Sequence, residues 1–202
     1  MLASLARGES FIRHLLLSGD TLATLRGMEK LGAVVRSSPE AFAIRGGDLR
    51  CPDGPIDCQN SGTTLRLLSG IASLLPCSIT LTGDESLQQR PMKPLINAFH
   101  ELGVQCRSVK GDGNPPLIVR GPNTGRWAHI KGDVSSQFIS SLLISSPLKE
   151  LDTEIVLTTP LISKPYVDIT IDMMSRFGVK VDITKDGYHI LGGQRYSPHS
   201  FT

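Results

Sequence analysis

The chain has 202 residues, of which 40% are hydrophobic and 20% charged, the usage of an ordinary folded domain rather than a disordered one. Lys and Arg number 21 against 19 Asp and Glu, and the resulting net charge of +2 is far below that of a surface built to neutralise nucleic-acid phosphates. No apolar run reaches the ~18 residues of a membrane span; the longest candidate, Leu65 to Leu75, is broken by Arg66, Ser69, Gly70 and Ser73.

The opening Met1-LASLAR has neither the basic stretch nor the apolar length of a signal peptide, so a cytoplasmic location is expected. Leu2 to Arg7 reads as the tail of a helix, with a strand beginning near Ser10. From there one pattern occurs three times: an amphipathic helix ending in a large apolar residue and Gly, a short strand, a turn, and a second strand ending near Gly. The copies are Thr21-LATLRGMEKLG-AVVRS with AFAIRG, Pro91-MKPLINAFHELG-VQCRS with PLIVRG, and Pro165-YVDITIDMMSRFG-VKVDI with YHILGG. The helix-ending glycines Gly32, Gly103 and Gly178 are spaced by 71 and 75, and the strand-ending glycines Gly46, Gly121 and Gly192 by 75 and 71. Leu95, Ala98, Phe99 and Leu102 form one apolar stripe, and Tyr166, Ile169, Met173 and Phe177 are expected to form another. Val179, Val181 and Ile183 alternate as a half-buried strand does.

A second pair of segments lies upstream of these units. Asn60-SGTTLRLLSGIASLL and Val134-SSQFISSLLISSPL align at an offset of 74, and each precedes a strand, Ser78-ITLT and Glu154-IVLTT. The unit is therefore strand, helix, strand, helix, strand, strand. Three such units, at about residues 1–50, 51–124 and 125–202, predict a single α/β domain with helices packed inside mixed sheets. By the same symmetry the first helix of the first unit is expected to start about eight residues before Met1. Cys51, Cys58, Cys77 and Cys106 form no CxxC, and all are expected to be thiols of a reducing compartment. The histidines make no HxxxH or HxH pair, so no metal site is expected. Asp57, Asp84 and Asp133 are scattered and suggest no acid/base pair.

The two upstream helix starts carry the chemistry. Asn60-Ser-Gly-Thr-Thr and Val134-Ser-Ser-Gln put small polar side chains beside free N–H groups at the positive end of a helix dipole, a ready anion site. Gly62 would let a ligand approach the backbone. Simple N-capping is the plain alternative for either start alone, but two equivalent starts favour ligand binding. Arg90, in the polar loop Gly83-DESLQQRPM, could grip a carboxylate or phosphate, or could be an ordinary solvated arginine. Arg66 sits among apolar residues, which implies a fixed partner or a cleft. Ser163 and Tyr166 offer hydroxyls, or else a cap and a core tyrosine.

These segments resemble a known family. Asn60-SGTTLRLL, Asp84-ESLQQRPM, Gly132-DVSSQFISSLL and Ser163-KPYVDIT are similar to the signature segments of the 5-enolpyruvylshikimate-3-phosphate synthase family, in its order and about its spacing, from roughly Gly19 to the end. The resemblance implies an inside-out α/β barrel domain of three βαβαββ units, the first one truncated. It also implies transfer of the enolpyruvyl group of phosphoenolpyruvate to the 5-hydroxyl of shikimate 3-phosphate, with release of phosphate and no cofactor. On that resemblance Ser135, Ser136, Gln137, Ser163 and Tyr166 would bind shikimate 3-phosphate. Asn60, Gly62, Thr63 and Arg90 would bind phosphoenolpyruvate, with Arg66 supporting them. The family's Lys-Ser-x-Ser-x-x-Arg segment and its second domain, which supplies the acidic general base, are not in these residues. The chain alone is therefore expected to be a monomer without turnover that works with that second domain, and with neither nucleic acid nor membrane. A UDP-N-acetylglucosamine enolpyruvyl transferase is the related alternative, but it usually has a cysteine in the loop that reads Gly83-DESLQQRP here. A non-catalytic repeat protein binding a partner on its sheet faces would explain the repeat, but not the paired anion sites.

Overall fold

Three glycines punctuate the structure. In the computed structural model, which describes residues 1–202, α2 (Gly19–Lys30), α4 (Lys93–Glu101) and α6 (Lys164–Arg176) each stop two residues before Gly32, Gly103 and Gly178. Those glycines have φ of +113°, +76° and +83°, left-handed conformations in which a Cβ would be strained. From each of them the chain enters an antiparallel hairpin: β2 (Val34–Ser37) with β3 (Ala41–Gly46), β6 (Gln105–Ser108) with β7 (Leu117–Arg120), and β10 (Asp182–Ile183) with β11 (Gly187–Ile190). The second hairpin strand pairs antiparallel with an earlier strand, respectively β1 (Gly8–Arg13), β5 (Ile79–Thr82) and β9 (Thr153–Thr159).

In the second and third sheets a parallel strand lies outside these, β4 (Ile56–Asp57) beside β5 and β8 (Trp127–Lys131) beside β9. The helices α3 (Gly62–Ala72) and α5 (Ser136–Ser145) make those two parallel crossovers. The sheet orders are β1-β3-β2, β4-β5-β7-β6 and β8-β9-β11-β10, one plan repeated with the first sheet lacking the outer parallel strand. A short helix, α1 (Leu2–Leu5), precedes β1.

Three more glycines fix where the strands cross the helices. A Cβ on Gly46 would collide with the Ser4 carbonyl, on Gly121 with that of Ser73, and on Gly192 with that of Glu150. Ser4 lies in α1, Ser73 caps α3, and Glu150 follows α5 and its 3-10 turn, Ser146–Leu148. In all three units bare backbone at or just after the last strand thus passes the first helix, its cap or the segment that follows it.

The core is made by α3 and α5, which are buried along most of their length beneath the sheets. They approach closely because small residues face each other: a Cβ on Gly70 would strike the Ser141 backbone, and Ser141 Oγ donates to the Arg66 carbonyl at 2.6 Å. Buried serines are tolerated here because their hydroxyls bond back to carbonyls one turn earlier. Ser69 donates to Leu65 and Ser146 to Leu142, each at 2.7 Å.

Three expectations are corrected. Of the stripe expected on α6, Phe177 is buried and Met173 packs against the core, but Tyr166 and Ile169 are 68% and 60% exposed, and Val167 and Met174 supply the buried face instead. The strand predicted from Val179 forms only at Asp182–Ile183, because the Gln194 side chain occupies the Lys180 backbone instead. Its Oε1 accepts from Lys180 N at 2.8 Å and its Nε2 donates to Lys180 O at 3.0 Å. Cys51 and Cys77 are not thiols: they form a disulfide joining the loop after β3 to the segment before β5. Cys58 and Cys106 are free and buried, and burial pushes both thiols up to about 12. No helix is long and apolar enough to cross a membrane.

Candidate functional site

The heads of α3 and α5 lie side by side, and each opens into its own cleft. Ser61 caps α3 by accepting from Thr64 N at 3.1 Å, and Ser135 caps α5 by accepting from Gln137 N at 3.3 Å. Capping is therefore real at both heads. It leaves the remaining first-turn N–H groups and the dipole's positive end facing the clefts.

The first cleft is at α3 and has no hydrophobic lining; Asn60, Gly62, Thr63 and Arg90 all border it. Arg90 is fixed by Asn60, whose Oδ1 accepts from Arg90 Nη2 at 2.8 Å. Asn60 Nδ2 in turn donates to Asp84 Oδ2 at 2.7 Å. The residue before Asn60 is strained: Gln59 has φ +53°, held by its N–H donating to Asp57 Oδ1 at 2.8 Å and its carbonyl accepting from Asp84 N at 2.9 Å. Asp57 and Asp84 are therefore parts of the frame around the α3 head, while Asp133 accepts from Thr159 elsewhere.

The second cleft is at α5, bordered by Ser135, Ser136, Gln137, Ser163 and Tyr166, with Thr63 and Arg66 on the side facing α3. Ser163 is the N-cap of α6 but makes no side-chain capping bond, and Tyr166 is largely exposed. Neither plays the cap-and-core role that was the alternative for this pair. A hydrogen bond of 2.7 Å between Ser140 and Thr170 ties α5 to α6 at the cleft wall.

One side chain joins the clefts. Gln137 Oε1 accepts from Arg66 Nη1 at 2.5 Å, and Gln137 Nε2 donates to Thr63 Oγ1 at 2.8 Å. The Arg66 guanidinium lies 5.3 Å from the Phe138 ring centre and its buried Nε has no partner. Burial first, and the neighbouring Arg90 second, push Arg66 below the usual arginine range. A Cβ placed on Gly62 would be 2.5 Å from Arg90 Nη1 and 3.2 Å from Arg66 Nη1, so both guanidiniums reach over this glycine. Neither forms an ion pair with a carboxylate. Two like charges converging on a helix N-terminus form a receptor for an anion, with Gly62 leaving the room.

All ten candidate residues border these two clefts. Sequence reasoning missed the framing roles of Asp84, Gln59 and Asp57. Asp84 is 24 residues from Asn60, and no local motif links them.

Comparison with known proteins agrees along the whole chain. The model of the family described as EPSP synthase (3-phosphoshikimate 1-carboxyvinyltransferase) matches residues 1–202. A protein of that name from Methanocorpusculum labreanum is 52% identical over 200 residues, covering 98% of this chain and 47% of the relative. One from Methanocaldococcus jannaschii is 46% identical, covering 97% of this chain and 47% of its own length. One from Halobacterium salinarum is 45% identical, with 97% and 46% covered. The solved structure of EPSP synthase from Acinetobacter baumannii superposes with a TM-score of 0.86 at 25% identity, over 99% of this chain and 45% of that one. The chain thus spans about half the length of the relatives it matches.

Proposed function

Because the chain belongs to the EPSP synthase family, we propose that it forms the part of such an enzyme that binds the substrates, phosphoenolpyruvate at the α3 head and shikimate 3-phosphate at the α5 head. The observation that carries this reading is the convergence of Arg66 and Arg90 over Gly62, two cations without a carboxylate partner at a helix N-terminus. Asn60, Gly62, Thr63 and Arg90 take the phosphate and carboxylate of phosphoenolpyruvate, with Arg66 supporting them. Ser135, Ser136, Gln137, Ser163 and Tyr166 take shikimate 3-phosphate through hydroxyl and amide groups. Gln137 lies between the two groups and sets their separation, so that the 5-hydroxyl meets the enolpyruvyl carbon and phosphate leaves into the field of the guanidiniums.

Of the three carboxylates lining the α3 cleft, Asp57 and Asp84 are engaged in framing hydrogen bonds and Asp20 lies at the start of α2; the proposal gives this chain binding and orientation rather than turnover. The acid–base groups and the closing partner belong, on this reading, to the portion of the relatives that the chain does not cover. The three units, at about residues 1–50, 51–124 and 125–202, form one domain, which acts as a monomer in the cytoplasm. A calorimetric titration tests the assignment. Shikimate 3-phosphate is expected to bind the chain and to lose at least tenfold in affinity in Ser136→Ala and Gln137→Ala, as a lost charge-assisted hydrogen bond implies. Affinity unchanged by both substitutions refutes the α5 site.

A further inference from the structure

Asp84 stands beside the proposed binding groups without belonging to them. It follows β5, and it is tied to the head of α3 and to its own loop. Its N–H donates to the Gln59 carbonyl at 2.9 Å, its Oδ1 accepts from Leu87 N at 2.8 Å, and its Oδ2 accepts from Asn60 Nδ2 at 2.7 Å. The Leu87 bond first and the Asn60 bond second hold its carboxyl below the usual carboxylate range. It is therefore an acceptor without a proton to give. A carboxamide presents an acceptor and two donors at its two ends and can be turned either way. A partner that only accepts at one end and a partner that only donates at the other both settle the choice, and Asp84 additionally anchors Asn60 in place beneath Arg90. With Asp84 on one side, Asn60 must turn its NH2 toward the carboxylate and its oxygen toward Arg90, as observed.

From this chain of bonds we infer that Asp84 is a positioning residue of the α3 cleft: acting through Asn60, it fixes the direction in which Arg90 presents its guanidinium to an anion. The ligand part of this inference rests on the phosphoenolpyruvate reading; the geometric part rests on the hydrogen bonds alone. The negative charge of Asp84 is compatible with an anion cleft because both its oxygens are engaged by the protein's own donors. Arg90 is thereby ordered without an ion pair that a ligand would have to break.

Asp84→Asn separates this role from general support of the loop. The substituted amide has one acceptor for two donors, Leu87 N–H and Asn60 Nδ2. One donor must then face another, unless Asn60 turns over and points its NH2 at Arg90. In side-chain 15N NMR of the 202-residue chain, Arg90 Nη–H exchange is expected to accelerate by about tenfold in Asp84→Asn, and phosphoenolpyruvate affinity to fall by about tenfold, the scale of one charge-assisted hydrogen bond. In an Asn60→Ala background the same substitution should change affinity by less than about twofold, since the path through Asn60 is already cut.

Unchanged Arg90 exchange in Asp84→Asn overturns the inference, and so does an equal loss of affinity in both backgrounds. A wild-type chain that fails to bind phosphoenolpyruvate, while Arg90 still responds to Asp84→Asn, supports the positioning role and overturns the ligand assignment instead. Thermal melts monitor folding. If Asp84→Asn does not fold, Asp84→Ser, which keeps an acceptor for Leu87 N–H but is too short for Asn60, gives the same two readouts.

Discussion

Gly62→Ala isolates the feature on which the functional reading depends. The added Cβ would lie 2.5 Å from Arg90 Nη1, 3.2 Å from Arg66 Nη1 and 3.4 Å from Arg90 Cδ. Ordinary contact begins at roughly 3.5 Å, so Arg90 Nη1 must withdraw by about 1 Å. The three nearest atoms all belong to the flexible side chains of Arg90 and Arg66. The fold can therefore absorb the methyl, and an alanine in the first turn of α3 even favours the helix by about 0.5–1 kcal/mol over glycine. The withdrawn guanidinium gives up its aligned contact with a bound anion. That is a charge-assisted hydrogen bond of about 1.5–3 kcal/mol, or roughly ten- to hundredfold in affinity. Calorimetry with phosphoenolpyruvate, beside thermal melts of both proteins, should show weaker binding at an equal or higher melting point. Shikimate 3-phosphate affinity should move less than phosphoenolpyruvate affinity, since Arg66 Nη1 needs to give only a few tenths of an ångström and can keep its bond to Gln137. Wild-type phosphoenolpyruvate affinity refutes the reasoning, and so does a fall of more than about 5 °C in melting point, which would mean that the methyl meets something rigid.

Two further outcomes follow from the same structure. The Cys51–Cys77 disulfide spans a sequence separation of 26, and closing a loop of that size removes about 3.5 kcal/mol of unfolded-state entropy. At this chain length that is roughly 8 °C in melting point, so reduction, or Cys51→Ser with Cys77→Ser, should lower the midpoint by about that amount in calorimetry, with four titratable thiols after reduction and unfolding. Lys149 is buried against the Gly125 carbonyl and Asn123 Oδ1, and burial first, then Arg126, push its ammonium down to about 8 against the opposing pull of Asp152. Its folded pKa lies below its unfolded one, so between about pH 8 and 10.5 the unfolded state holds more protons and stability rises with pH. Melts across that window should show this rise in the wild-type chain and lose it in Lys149→Met; equal slopes refute the assignment.

What could be read from sequence was what local chemistry dictates. Gly32, Gly103 and Gly178 were legible because a left-handed residue after a helix is a demand on one position. The α4 stripe was legible because Leu95, Ala98 and Phe99 lie on its only apolar face and Leu102 continues it. On α6 the same periodicity misled. Tyr166 and Ile169 make one apolar face and Val167 and Met174 another, and spacing alone does not say which of them meets α5. The shortened β10 depended on Gln194, which is 14 residues from Lys180. The disulfide needed the fold to bring Cys51 and Cys77 together, since four cysteines at irregular spacing name no pair.

The candidate site divides in the same way. The two helix heads are local features and stand out in the sequence, whereas the bonds that organise them run between distant residues. One of those bonds was nonetheless encoded in the repeat. Thr63 and Gln137 are 74 residues apart, which is the offset that aligns the α3 segment with the α5 segment. They occupy the same position in two copies of one helix, and they touch. Equivalent residues on neighbouring copies meet only near the axis that relates the copies, so the hydrogen bond between them marks where the repeats converge. Arg66 and Gln137, Gly70 and Ser141, and Ser141 and Arg66 are separated by nearly the same number of residues and meet along the same seam. A threonine in one copy and a glutamine in the other break the symmetry at that point. The short hydroxyl accepts from the Gln137 amide, and that longer side chain reaches across to Arg66 as well. Divergence at this position, together with Asn60 against Val134, Gly62 against Ser136 and Arg66 against Ser140, gives two similar helix heads different clefts while keeping them in contact.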